Sequence, residues 1–146
     1  MINGKEIELE WQKSFGGSSM DLPTNFVYVS EGDYYIATVR VISSEFEGLK
    51  TNEGTNILNP DVVILKLDNN GNIISKNLWG GNGNDYLKIT SMNTRGEFIL
   101  FGGSNSSNIE GFTSNGGMDF IYYKYNKDGT LLWQKGWGGS GIDAFY

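Results

Sequence analysis

The 146 residues include 17 Asp and Glu against 11 Lys and Arg, a formal net charge of −6, with neither histidine nor cysteine. Disulfides, thiol and imidazole chemistry and zinc-finger spacings are thereby removed, and the scattered cations of an acidic chain argue against nucleic-acid binding. A content of 21 Gly, 2 Pro and 14% aromatics favours short twisted strands joined by tight turns.

In chain order, Met1 to Glu6 lack an apolar export-signal core, and no run of about 18 apolar residues predicts membrane insertion. A strand is expected over residues 5–15. Runs of alternating or continuous apolar residues then predict strands at 25–30, 34–42, 61–68 and 72–79, and again at 86–92, 97–103, 119–126 and 130–137. Glu31-Gly32-Asp33 and Thr94-Arg95-Gly96 separate the first two strands of each set. Asn69-Asn70-Gly71 and Lys127-Asp128-Gly129 separate the last two, and Asn-Gly and Asp-Gly supply the positive φ of antiparallel hairpins. The longer segments 43–60 and 104–118 share Ser-Ser-x-(Phe/Ile)-Glu-Gly, ending in Glu47-Gly48 and Glu110-Gly111. As loops on a rigid scaffold they are where a binding surface is sought.

The two sets are copies. Laying 61–85 on 119–143 gives 8 identities in 25 positions, and laying 9–21 on 131–143 gives 8 in 13. The phrase Trp-Gln-Lys-x-(Phe/Trp)-Gly-Gly-Ser-x-x-Asp stands at Trp11 to Asp21 and at Trp133 to Asp143. A degenerate copy ends at Trp79-Gly80-Gly81 and Asp85, with Ser75 in place of the strand tryptophan. The spacing of 64 and then 58 residues suits a four-stranded propeller blade.

This string resembles the β-propeller repeats found in tandem in secreted and cell-surface bacterial proteins. The resemblance implies an all-β fold of two four-stranded antiparallel blades with a partial blade strand at each end. It also implies an extracellular or surface location and a non-catalytic interaction role. The corresponding boundaries are 1–20 for the last strand of a preceding blade, 21–84 and 85–142 for two blade repeats, and 143–146 for the start of another. Two blades would leave apolar faces in water, so a head-to-tail homo-oligomer or a longer array is expected.

Candidate ligand-binding residues are Trp11 and Trp133, with Asp21, Asp85, Asp143, Glu47 and Glu110. Aromatic rings flanked by carboxylates suit a glycan, the alternative partner being a surface protein. Trp79 and Trp137 are read as packing residues, and Trp11 and Trp133 are placed on the opposite face. Gly80 to Lys88 and Gly138 to Tyr146 both match a calcium-binding nonapeptide. Lacking an adjacent copy to share an ion, their Asp85 and Asp143 are read first as caps of backbone N–H groups and second as metal ligands. Glycoside hydrolysis needs only a carboxylate pair, but repeated acids lie at equivalent positions of each unit, so an enzyme is not expected and a hydrolase fragment is the last alternative. A self-assembling scaffold is the main alternative to recognition.

Overall fold

The computed structural model describes residues 8–30, 32–52 and 55–143, and among these the chain is all-β and antiparallel, with no helix. Strands β1 (Asp21–Val29), β2 (Tyr34–Val41), β5 (Asp61–Leu67) and β6 (Ile73–Trp79) form one four-stranded sheet in the order β1-β2-β5-β6. A second sheet, β7-β8-β9-β10, comprises β7 (Asp85–Met92), β8 (Phe98–Ser104), β9 (Asp119–Tyr125) and β10 (Leu131–Trp137). Each is an antiparallel meander, interrupted in the first sheet by the connection between β2 and β5.

Three of the hairpin turns repeat one chemical device, whereas the β1–β2 turn places Asp33 at a positive φ of 53°. Asp68 Oδ1 accepts from the amides of Asn70 and Asn72 at 2.9 and 2.7 Å. Asn93 Oδ1 accepts from Arg95 and Glu97 at 2.9 and 3.0 Å, and Asn126 Oδ1 from Asp128 and Thr130 at 3.0 and 2.8 Å. In each of these three turns only the glycine takes positive φ, +74° at Gly71, +74° at Gly96 and +84° at Gly129. This is the longer hairpin with a glycine bulge, in place of a two-residue turn with both central residues left-handed.

Two hydrophobic layers result from strand alternation. The near face of the first sheet presents Tyr34, Ile36, Val62 and Trp79 to Leu87, Phe98, Leu100, Ile121 and Tyr123 of the second. The far face of the first sheet carries Ala37, Val39, Val41, Val63, Leu65 and Leu67. Hydrogen bonds from Thr24 Oγ1 to the Leu87 carbonyl at 3.2 Å, and from the Asp85 amide to the Pro60 carbonyl at 3.0 Å, tie β7 to the first sheet. Burial of aliphatic side chains of this size stabilises by about 1.5–3 kcal/mol each, so the inter-sheet layer is the main tie between the two sheets.

The two sheets are related head to tail. Tyr35 pairs with Leu67 as Phe98 pairs with Tyr125, and Val41 pairs with Asp61 as Ser104 pairs with Asp119. The near face of the second sheet therefore corresponds to the far face of the first. By the same register, Trp79 on the near face of the first sheet corresponds to Trp137 on the far face of the second. Trp79 is 8% exposed and Trp137 is 52% exposed.

Two sequence expectations need correction. Residues 8–15 form no strand, and 5–7 lie outside the described residues. The segment crosses the far face of the first sheet, where Phe15 packs against the apolar layer, and pairing is confined to a single bridge between Gly17 and Phe46. The segment lies over a sheet face, away from a sheet edge, so its backbone has no ladder to join. The long connection after β2 also contains a small hairpin, β3 (Glu45–Phe46) and β4 (Leu49–Lys50). Its turn places Glu47 and Gly48 at φ of 49° and 74°, the geometry of a two-residue hairpin turn, and buries Phe46 completely in the far-face layer.

Candidate functional site

The repeated aspartates close the turns that contain the Gly-Gly pairs, and Asp21 and Asp85 open β1 and β7. Asp21, Asp85 and Asp143 accept the amides of Gly17, Gly81 and Gly139, each at 2.7 Å and each four residues upstream. Asp21 also accepts from the Ile42 amide at 3.2 Å and the Ser43 hydroxyl at 3.0 Å. Asp85 is fully buried and accepts from the hydroxyls of Ser104 at 2.5 Å and Ser106 at 3.0 Å. Burial pushes its carboxyl up to about 6, with the charge of Asp61 adding to the effect and the three hydrogen bonds opposing it. Asp61 and Asp119 begin the third strands and are likewise buried. Asp61 accepts from Asn52 and Thr55, and Asp119 from the Asn115 amide at 2.5 Å.

Asp21, Asp85 and Asp143 serve as backbone caps, and at Asp85 the surrounding donors are set for a carboxylate and not for calcium. The cation takes 6–8 oxygen ligands, whereas the two Asp85 oxygens are occupied by amide and hydroxyl donors. Among the described residues no three acidic side chains converge. The melting temperature is therefore expected to be the same in a chelator as in millimolar calcium, measured by calorimetry. A calcium-dependent rise would return Asp85 and Asp143 to the metal reading.

Trp11 is seated on the first sheet, its ring edge-on to Tyr35 with centroids 6.0 Å apart and above Gly71, where a Cβ would lie 2.8 Å from the indole. Trp133 is 41% exposed. It faces Lys124 on β9 while Trp137 faces Phe120, four residues away, so Trp133 and Trp137 share one face of the second sheet. The expectation of opposite faces is corrected by strand parity, since an even separation returns a side chain to the same side and the β10 bulge falls before Trp133. Tyr122 meets Trp137 edge-on at 5.4 Å and Phe101 at 4.4 Å, making an aromatic band across that face.

The two glutamates occupy equivalent places with different outcomes. Glu47 accepts the Gly16 amide at 2.8 Å through its carboxylate, and its carbonyl accepts from the Lys76 ammonium. Glu110 repeats the carbonyl contact, taking Gln134 Nε2 at 2.9 Å, while its side chain is exposed at the rim of a cleft of about 550 Å³. Trp79, Tyr123, Asn108 and Gln134 also line that cleft. The Trp79 indole N–H and the Tyr123 hydroxyl are buried beside one another, with no further hydrogen-bond partner among the described residues. Burial drives the Tyr123 hydroxyl far above its usual range, opposed by its interaction with the Trp79 side chain and reinforced by the charges of Tyr125 and Asp85.

A further gap of about 280 Å³ adjoins that cleft between the sheets toward the hairpin end, sharing Tyr125 and Leu131 with it and lying beside Ser75 and Gly129. Neither space was expected from sequence. The Ser75 substitution in the repeat phrase was the signal available for the second of them. Comparison with protein-family models and with curated proteins finds no match.

Proposed function

We propose that the chain is a non-catalytic, propeller-type recognition module whose open sheet faces bind further sheets of its own kind. The carrying observation is the head-to-tail relation. The aromatic band of Tyr122 and Trp137 is the repeat counterpart of the surface that Tyr34, Ile36 and Trp79 bury inside the chain. A second copy, or a further repeat, offers the surface complementary to that band, because the far face of the first sheet corresponds to the near face of the second. A heterologous contact of this kind continues until it closes into a ring. The non-catalytic part of the reading is supported by the engagement of Asp21, Asp85 and Asp61 with amides and hydroxyls. Secretion to a bacterial surface comes from the repeat resemblance alone.

Solution mass across a concentration series tests the proposal. A discrete multiple of the 16.2 kDa chain is expected, and a monomer at the highest concentration overturns self-association.

Glycan recognition is the second reading, favoured by the cleft that sets Gln134, Asn108 and the exposed Glu110 carboxylate beside the aromatic side chains of Trp79 and Tyr123. Such a combination of aromatic body and convergent polar groups suits a polyhydroxylated ligand. A saccharide panel read by tryptophan fluorescence tests it, and a flat response throughout removes it.

A further inference from the structure

We propose that the gap beside Ser75 is a binding site for a planar aromatic ring of indole size. The chain contains two versions of one junction. In the first, residues 8–15 lie on the far face of the first sheet, and Trp11 fills the space above Gly71 and against Tyr35. In the second, β6 lies on the near face of the second sheet, with Gly129 in the place of Gly71 and Phe98 in the place of Tyr35. The residue in register with Trp11 and Trp133 is Ser75. A hydroxymethyl group thus stands where the other copies carry an indole.

The space has not collapsed. A Cβ built on Gly71 meets the Trp11 ring, whereas a Cβ built on Gly129 has nothing within 4 Å. The rigid hairpin at Asn126 to Thr130 and the bonded strands on either side hold the walls apart, as Asn126 caps two amides of its own turn. The gap opens to solvent past the exposed Asp128, Gly129 and Leu131, so a guest has a way in, and a preformed cleft of apolar and aromatic walls with a few polar groups suits a small ligand.

The wall chemistry defines the ligand. Phe98 and Tyr125 are stacked with centroids 5.3 Å apart and planes 15° from parallel, offering a flat aromatic surface. Ile36, Ile64 and Leu131 complete the apolar lining. The Lys66 ammonium, held 4.0 Å from the centre of the Tyr34 ring, also borders the gap, placing a cation where it favours the electron-rich face of an aromatic guest. Ser75, Asn77 and Asp128 add polar atoms for a ring N–H. The guest is therefore a neutral aromatic heterocycle, either free or carried as a tryptophan side chain on a peptide. This site goes beyond the self-association reading and does not rest on it.

The test uses the full chain, titrated with indole and separately with N-acetyltryptophanamide, and followed by amide chemical shifts. Saturable shifts concentrated at Ser75, Phe98 and Gly129 are expected. Response to indole alone identifies a free ligand, and response to both identifies a site open to a peptide-borne ring. The Ser75→Trp variant should fill the gap with its own indole, raise the melting temperature and weaken binding at least tenfold, while Ser75→Ala keeps it. Absence of saturable shifts in the unmodified chain at millimolar indole, or shifts confined to Trp133 and Trp137, overturns the proposal. Failure of self-association leaves this result untouched, so the two readings fail separately.

Discussion

Replacing Asp85 by alanine is expected to lower the melting temperature by roughly 6–12 °C, whereas replacing it by asparagine leaves the protein at least as stable at neutral pH. The alanine variant strands the Gly81 amide and leaves the hydroxyl protons of Ser104 and Ser106 without their acceptor in a buried pocket. Buried groups deprived of partners cost about 1–3 kcal/mol each, and a total near 3 kcal/mol moves a domain of this size by about 2–4 °C per kcal/mol. Asparagine keeps one acceptor for Gly81, and its amide donates where a hydroxyl oxygen can accept.

The same residue gives stability a pH dependence of unusual sign. The folded-state carboxyl is raised from 3.8 to about 6, so between those values the folded chain binds more protons than the unfolded chain. The Asp85 contribution to stability is therefore greatest below about pH 4, falls as pH rises through about 6, and is flat beyond. At about 1.4 kcal/mol per unit, the whole change is on the order of 3 kcal/mol. Chemical denaturation at pH 4.5 and 7.5 measures it against the background of the other acids. The Asp85→Asn variant should lose this component, and an unchanged difference between the two pH values would show that Asp85 does not cause it.

Much of the architecture was written in local chemistry. Asn or Asp followed at a short distance by glycine marked the hairpins at Asp68 to Asn72, Asn93 to Glu97 and Asn126 to Thr130, because the side chain and the left-handed glycine are both needed to turn the chain. Alternating apolar residues marked the strands for the same reason. The hairpin at Glu45 to Lys50 was not legible, since two-residue strands carry no period and their stability comes from Phe46 entering a layer formed by distant residues. The first strand begins at Asp21, four residues before the apolar run, because a bulge between Pro23 and Asn25 lets pairing continue past a proline. For the site, the repeat phrase identified Asp21, Asp85 and Asp143, and the structure shows them capping glycine amides. Glu47 and Glu110 carry the same label in sequence. They diverge because only Glu47 has the Gly16 amide within reach, a relation set by how residues 8–15 cross the sheet. The gap beside Ser75 required knowing what Trp11 touches.

Trp79→Ala and Trp137→Ala should produce opposite phenotypes although the residues are repeat equivalents. Trp79 is buried between the sheets and meets Tyr123 edge-on with centroids 5.6 Å apart. Its removal leaves a cavity in the layer that joins the two halves, and a loss of about 3–5 kcal/mol is expected in denaturant unfolding. Trp137 contacts Tyr122 within its own sheet and is half exposed, so its removal should cost the single chain no more than about 1 kcal/mol. The effect of Trp137→Ala belongs in the mass measurement. If the far face of the second sheet docks on another copy, Trp137 enters the place opposite Leu65 that corresponds to the place of Trp79 opposite Tyr123, and assembly should weaken by at least tenfold. Residues 8–15 already occupy part of that surface through Phe15, whose sequence neighbourhood matches that of Trp137. Docking then requires a strand of one copy to displace a segment of another that imitates it. Phe15→Ala loosens the imitator and should strengthen assembly while Trp137→Ala weakens it. Parallel behaviour of the two variants would mean that the segment and the strand do not compete for one surface.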